Sequence, residues 1–249
     1  MAHATHPVHS SVLVWDLPVR LFHWSLVAAI ALAFVSSEEG SPLSAWHMAA
    51  GWIAVVLIIF RLCWGFIGNA QARFANFVKP GAVIPHVREL LSGKPQRSLG
   101  HNPLGGLAVL ALLGATAAVT WTGAQMTSGF GSEDLHEALA FALLGLVVVH
   151  VIGVVVMSVL TRDNLVAAMV TGRKAADGTP PVRQPRKGRV LAHLSAVAVV
   201  ALSVFGITRY DRDAFTPRSH EEAEYAEHAG QHSTGEAGQG QRRSDDHDD

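Results

Sequence analysis

Four histidines of this 249-residue chain lie inside strongly apolar runs: His23, His47, His136 and His150. An ionisable ring in hydrocarbon is costly, so such groups are usually kept for proton relay, metal ligation or cofactor ligation. Their spacing narrows the choice. His136 and His150 are 14 residues apart in one run, which on a helix falls about 40° short of four turns and rises ~21 Å. One helix face therefore carries two imidazoles at two depths. His23 comes early in the first run and His47 early in the second. Consecutive runs that cross a membrane in opposite directions put His47 level with His136, and His23 level with His150. Two facing imidazoles at each of two levels is what a bundle needs to hold two b-type haems, because haem iron takes axial ligands from opposite sides of the ring. Gly51 lies one turn from His47, and Gly145 and Gly153 flank His150; such small residues leave room for a flat macrocycle.

The elements that must position these rings are apolar helices. Five runs read as spans: Leu17–Val35, Leu43–Ile67, Leu104–Met126, Leu135–Leu160 and Val190–Ile207. Each approaches or exceeds the ~20 residues that cross a ~30 Å hydrocarbon core. Composition agrees. The chain is 49% hydrophobic and 16% charged, with a mean hydropathy of +0.28, whereas a soluble domain is about 25% charged. Eleven of the twenty acidic residues follow Arg209. The single cysteine, Cys63, excludes an internal disulfide, a zinc ribbon, a cysteine-ligated iron–sulfur cluster and covalent haem attachment through C-x-x-C-H.

Charge sets the expected orientation. The loops after the first and third runs carry Glu38, Glu39, Glu133 and Asp134 and no Lys or Arg. The loops after the second and fourth carry the basic residues, from Arg73 to Arg97 and from Arg162 to Arg189. Basic loops stay in the cytoplasm, so the N-terminus is expected inside and, with five spans, the C-terminus outside. The organisation is then a cytoplasmic segment 1–16, a four-helix di-haem core 17–161, a basic cytoplasmic loop 162–189, a fifth helix 190–208 and a disordered, acidic, His-rich tail 209–249. Val83, Ile84, Val87, Leu90 and Leu91 share a helix face, which predicts a short helix on the inner membrane surface. Trp15, Trp24, Trp46, Trp52 and Trp64 read mostly as interfacial belts, and His193 as an interfacial ring.

Particular stretches resemble a known family. Val14–Trp24 (VWDLPVRLFHW), Trp46–Trp52 (WHMAAGW), Leu99–Gly106 (LGHNPLGG), His136–Ala138 (HEA) and Arg162–Lys174 (RDNLVAAMVTGRK) are similar to the bacterial cytochrome b561 family, in the branch of nickel–iron hydrogenase b-type cytochrome subunits. The resemblance covers about Val12 to Lys174, and the four histidines fall at the family's positions. It implies an all-α integral membrane protein of the bacterial inner membrane, built on a four-helix di-haem bundle to which a fifth helix is added. It also implies electron exchange between the quinone pool and a periplasmic redox partner, either as a stand-alone electron-transfer protein or as a subunit of a quinone-linked oxidoreductase. The acidic outer side suits a basic partner such as a c-type cytochrome, and nothing points to nucleic acid. Arg20 and Arg61, near cytoplasmic span ends, are candidate haem-propionate partners, and His101 is a candidate neighbour of a quinone site. The rival reading is a transporter in which the same histidines relay protons or bind a metal ion; it would gather its ligands at one level rather than two.

Overall fold

A computed structural model describes residues 11–38, 40–93, 98, 100–175 and 186–218. In chain order the elements are β1 (Ser11–Leu13), α1 (Leu17–Ser37), α2 (His47–Ile67), α3 (Phe74–Phe77), α4 (Val83–Leu91), α5 (Pro103–Met126), α6 (Glu133–Thr161), α7 (Leu165–Thr171), β2 (Arg173–Ala175) and α8 (Arg186–Tyr210). Among the described residues five stretches are long and apolar enough to cross a membrane: Leu17–Ser37, Ser44–Ile67, Pro103–Met126, Glu133–Thr161 and Val190–Tyr210. They coincide with the five apolar runs to within a few residues.

Local chemistry sets where the spans begin. Asp16 caps α1, its Oδ1 accepting the Val19 N–H at 3.1 Å, and Pro18 follows in the first turn. Asn102 caps α5 in the same way through Gly105 N–H at 2.6 Å, with Pro103 as the first helical residue. Ser132 caps α6, and Glu133 and Asp134 fill its first turn, where the helix dipole favours negative charge. A single 3-10 turn, Ser44–Trp46, leads into α2 and makes His47 its first residue.

Helix α2 is the central post. It packs on α1, α5 and α8, while α5 pairs with α6. Its buried face includes Ala49, Ala50, Trp52, Ala54, Val56, Ile58, Arg61 and Trp64. By contrast α6 leaves Val148, Val149, Val151, Ile152 and Val155 exposed. In water such a row would be untenable; against lipid it needs no cover, because hydrocarbon is as apolar as the side chains.

Several features differ from the sequence expectations. Trp15, Trp52 and Trp64 are buried, not belt residues, whereas Trp24 and Trp46 are exposed. Two of the buried indoles have polar partners: Trp64 Nε1 donates to Asp16 Oδ2 at 3.2 Å, and Trp52 Nε1 donates to Asp211 Oδ2 at 3.1 Å. A buried indole is tolerated where its N–H finds such an acceptor. The region assigned to a disordered tail from 209 onward starts with ordered chain. Helix α8 runs to Tyr210, and Asp211–Arg218 folds back over the His47 end of α2, Arg218 N–H donating to the Ala45 carbonyl at 2.7 Å. Arg218 Nη2 meets Asp211 Oδ2 at 2.5 Å. The rest of the acidic tail, residues 219–249, lies outside the described residues.

At the opposite end β1 and β2 form a small antiparallel sheet, Val12 opposite Lys174. It is closed by Gly172, whose carbonyl accepts the N–H groups of Val14 at 2.8 Å and Trp15 at 3.1 Å. Gly172 has φ +79°, and a Cβ there would meet the Trp15 carbonyl oxygen at 2.6 Å. Only glycine combines that backbone with that approach. Lys174 is buried and its Nζ donates to the Ser98 carbonyl at 3.0 Å. The sheet thus ties the start of α1 to the segment that carries His101. The amphipathic helix over Val83–Leu91 forms as expected.

Candidate functional site

The four span histidines sit on three helices: His23 on α1, His47 on α2, His136 and His150 on α6. His47 and His136 come together, their ring centroids 6.2 Å apart and their planes at 80°. An iron held by two imidazole nitrogens at about 2 Å each separates the ring centroids by about 6 Å, so this spacing fits bis-histidine ligation. The rings are also oriented. His47 Nδ1 lies 2.9 Å from the Ala33 carbonyl on α1. A carbonyl only accepts, so Nδ1 carries the proton and the lone pair of the neutral ring is on Nε2. His136 Nδ1 lies 3.0 Å from Thr122 Oγ1 on α5. A Cβ at the next residue, Gly123, would stand 3.1 Å from His136 Cε1. The glycine therefore lets the ring lie close against α5.

Among the described residues His23 packs edge-on against Trp24 at 5.2 Å and makes no ring contact with His150 like that between His47 and His136. Among the described residues a Cβ at Gly51, Gly145 or Gly153 would meet nothing within 4 Å beyond the backbone of its own helix. Among the described residues no group of three or more His, Cys, Asp and Glu side chains converges. A non-haem metal site usually draws three or four protein ligands, whereas haem asks for only two axial ones.

A buried polar layer lies at the α1 start of the bundle. Arg61 is 2% exposed. Its Nη1 donates to the Ala72 carbonyl at 3.2 Å, and its guanidinium stands over the Phe74 ring at 4.8 Å. Asp16 interacts with it at longer range. Burial pushes the Asp16 carboxyl above its ordinary pKa; the Val19 and Trp64 hydrogen bonds and the charges of His193 and Arg61 oppose that rise. His193, expected to be merely interfacial, also packs edge-on against Trp64 at 5.5 Å. His101 is enclosed between Trp15, at 4.6 Å, and Phe77, at 4.4 Å. Its Nδ1 is buried and has no hydrogen-bond partner among the described residues. Burial, with help from Arg61, Lys174 and His150, lowers its pKa to about 3, so it is neutral near pH 7.

The two arginine candidates separate. Arg61 belongs to the layer with Asp16 and His101. Arg20 turns toward α7 and donates from Nη2 to the Val170 carbonyl, lining an outward groove with Leu17, Leu21 and Trp24. An apolar cavity of about 620 Å³ opens between α2, α3 and α5, lined by Leu62, Phe66, Phe74, Leu110 and Leu113 among others. Phe74 thus faces both this cavity and Arg61.

Sequence reasoning missed Thr122 and the Ala33 carbonyl as partners of the His136 and His47 rings. The signal for Thr122 was faint: it lies 14 residues before His136 across a tight α5–α6 turn, which allows contact without specifying it.

Comparison with known proteins bears on the same stretch. The family model described as prokaryotic cytochrome b561 matches residues 14–172. Relatives carry the name "Probable Ni/Fe-hydrogenase B-type cytochrome subunit". The one from Azotobacter vinelandii is 26% identical over 212 residues, covering 66% of this chain and 88% of that protein. The one from Cupriavidus necator is 28% identical over 207 residues, covering 64% and 85%. A relative from Escherichia coli with nearly the same name is 24% identical over 212 residues, covering 65% and 90%. No solved structure matches the chain.

Proposed function

The chain belongs to the prokaryotic cytochrome b561 family, and from that premise we propose that this multi-pass membrane b-type cytochrome holds two haems b and links a quinone to a redox partner outside the cytoplasm. Bound haem b supplies a one-electron Fe(III)/Fe(II) couple. His47 and His136 ligate the outer iron, and His23 and His150 the inner one. The observation that carries this reading is the outer pair, with centroids 6.2 Å apart and the His47 tautomer set by the Ala33 carbonyl. Three further residues are proposed for the inner level. Arg61 and Arg20 are the propionate candidates, Arg20 also donating from Nη2 to the Val170 carbonyl. His101 offers an unpartnered, uncharged Nδ1 to a quinone oxygen. The apolar cavity beside Phe74 has the lining a quinone side chain needs.

The relatives' names point to a hydrogenase as one class of outside partner. A stand-alone role with a basic c-type cytochrome is the other, and the acidic residues after Arg209 favour it by electrostatic steering. One preparation tests the reading. Haem per chain is measured in the purified protein, then haem reduction is followed by stopped flow after mixing with a quinol at low and high salt. Two haems per chain, reduced by quinol, are expected. Absence of a b-type band sinks the cytochrome assignment for the ligands, and haems inert to every quinone couple sink the quinone.

The distribution of Lys and Arg supports an inner-membrane protein with its N-terminus in the cytoplasm and its C-terminus in the periplasm. A reporter fused after Asp249 should be active only if it functions in the periplasm. Activity of a cytoplasm-only reporter at that site would reverse the α8 crossing.

A further inference from the structure

Thr122 is 6% exposed, inside the bundle. Its Oγ1 has three polar neighbours: the Ala118 carbonyl at 3.1 Å, the Val119 carbonyl at 2.9 Å and His136 Nδ1 at 3.0 Å. A hydroxyl has one hydrogen and two lone pairs, and carbonyls only accept. The hydroxyl hydrogen therefore goes back to the α5 backbone, the common habit of threonine in a helix. Toward His136 the oxygen accepts, and Nδ1 is the donor. That fixes the proton on Nδ1 and the lone pair on Nε2, the same tautomer that the Ala33 carbonyl imposes on His47.

We propose that Thr122 is a positioning residue for the outer iron ligand: by accepting the His136 Nδ1–H it fixes the ring and lowers the reduction potential of the outer centre. The inference rests on the assignment of His136 as a ligand. An acceptor on the far nitrogen makes an imidazole more basic and a better donor to the metal, which favours the oxidised iron. His136 also meets the Val119 carbonyl, but that group and the Ala33 acceptor of His47 are main chain, so Thr122 is the one acceptor that a substitution can remove. Among the described residues, neither His23 nor His150 has a hydrogen bond to its ring. A change at Thr122 should therefore move one of two potentials and leave the other in place.

Thr122→Val keeps the shape and removes the acceptor; Thr122→Ser keeps the acceptor. Haem per chain and the redox titration of the α-band are measured for both and for the unaltered protein. Thr122→Val should raise one midpoint, shifting its one-electron equilibrium roughly three- to tenfold, where tenfold is ~59 mV. Thr122→Ser should return it to the original value. If Thr122→Val binds less than two haems, Thr122→Ala is compared instead; loss in both with full retention in Thr122→Ser also shows dependence on the hydroxyl. An unaltered protein without haem overturns the ligand assignment. An unaltered protein with two haems whose midpoints ignore Thr122→Val overturns the role of Thr122 alone. So does an equal shift in the Val and Ser variants, loss of haem in all three variants, or a gain of haem in Thr122→Val, the last being the mark of a hydroxyl that donates to Nδ1.

Discussion

Replacing His47 or His136 by alanine is expected to halve the haem content and remove one spectroscopic component while the second stays. Replacing His23 or His150 should remove the other component. The expectation for the outer pair comes from direct ring proximity, 6.2 Å between centroids. That for the inner pair comes from position: His150 lies on the same α6 face as His136, and His23 lies early in α1. An axial ligand contributes little alone, because an iron left with one imidazole loses both the bond and the matched geometry. The effects within a pair should therefore be far from additive. His47→Ala with His136→Ala should look like either single variant. His47→Ala with His23→Ala should leave no haem. Pyridine haemochrome content and the low-temperature α-band of each variant check this. If His23→Ala and His47→Ala remove the same component, the pairing by depth is wrong. If all four variants keep both haems, the histidines have another task, and a proton relay becomes the better reading.

The shared face of His136 and His150 was legible in the sequence because α6 is an unbroken helix from Glu133 to Thr161. On such a helix 14 residues map onto one face whatever surrounds it. The spans were legible for a related reason: hydrocarbon demands long apolar runs with internally satisfied backbones. Features set by tertiary contact were not. Hydropathy cannot tell an interfacial tryptophan from one turned inward, so Trp64 and Trp52 read as belt residues until their acceptors Asp16 and Asp211 are in place. Strands of three residues, Ser11–Leu13 and Arg173–Ala175, are too short to show alternation and meet only because the chain returns to the same end of the bundle after four spans. The D-R-D start of the segment after Tyr210 has the composition of a solvated tail, yet its first aspartate is the acceptor for a buried indole. Arg20 and Arg61 look alike in sequence, each a cation near a span end, and part ways only through what they touch. A single polar residue in an apolar run, such as Thr122, has an ordinary role in capping its own backbone, and its second partner depends on where the next helix stands.

The second large effect concerns acid. His101 is held between Trp15 and Phe77 with its pKa lowered to about 3, against an ordinary value of 6.5. The folded protein keeps the ring neutral. The unfolded chain protonates it below pH ~6.5. Stability contributed at neutral pH is therefore lost progressively as pH falls from ~6.5 toward ~3, with a ceiling of roughly 5 kcal/mol for a shift of that size. Asp16 works with the opposite sign. Its folded pKa is raised, so its contribution favours the folded state in acid and fades as pH rises through that raised value. The two overlap in acid, which is why a variant must separate them. His101→Phe keeps a flat ring between Trp15 and Phe77, leaves no buried Nδ1 without a partner, and cannot take a proton. Thermal unfolding of the detergent-solubilised protein between pH 7.5 and 4.5 should show a steep loss of stability for the unaltered chain. The loss should be smaller for His101→Phe by the slope of about one proton, near 1.4 kcal/mol per pH unit. At pH 7.5 the two proteins should differ little in stability, while quinol-driven haem reduction should slow in the variant if Nδ1 is what holds the quinone oxygen. Parallel stability profiles for the two chains would mean that His101 is neutral for no energetic reason of its own, and that acid acts elsewhere in the layer around Arg61 and Asp16.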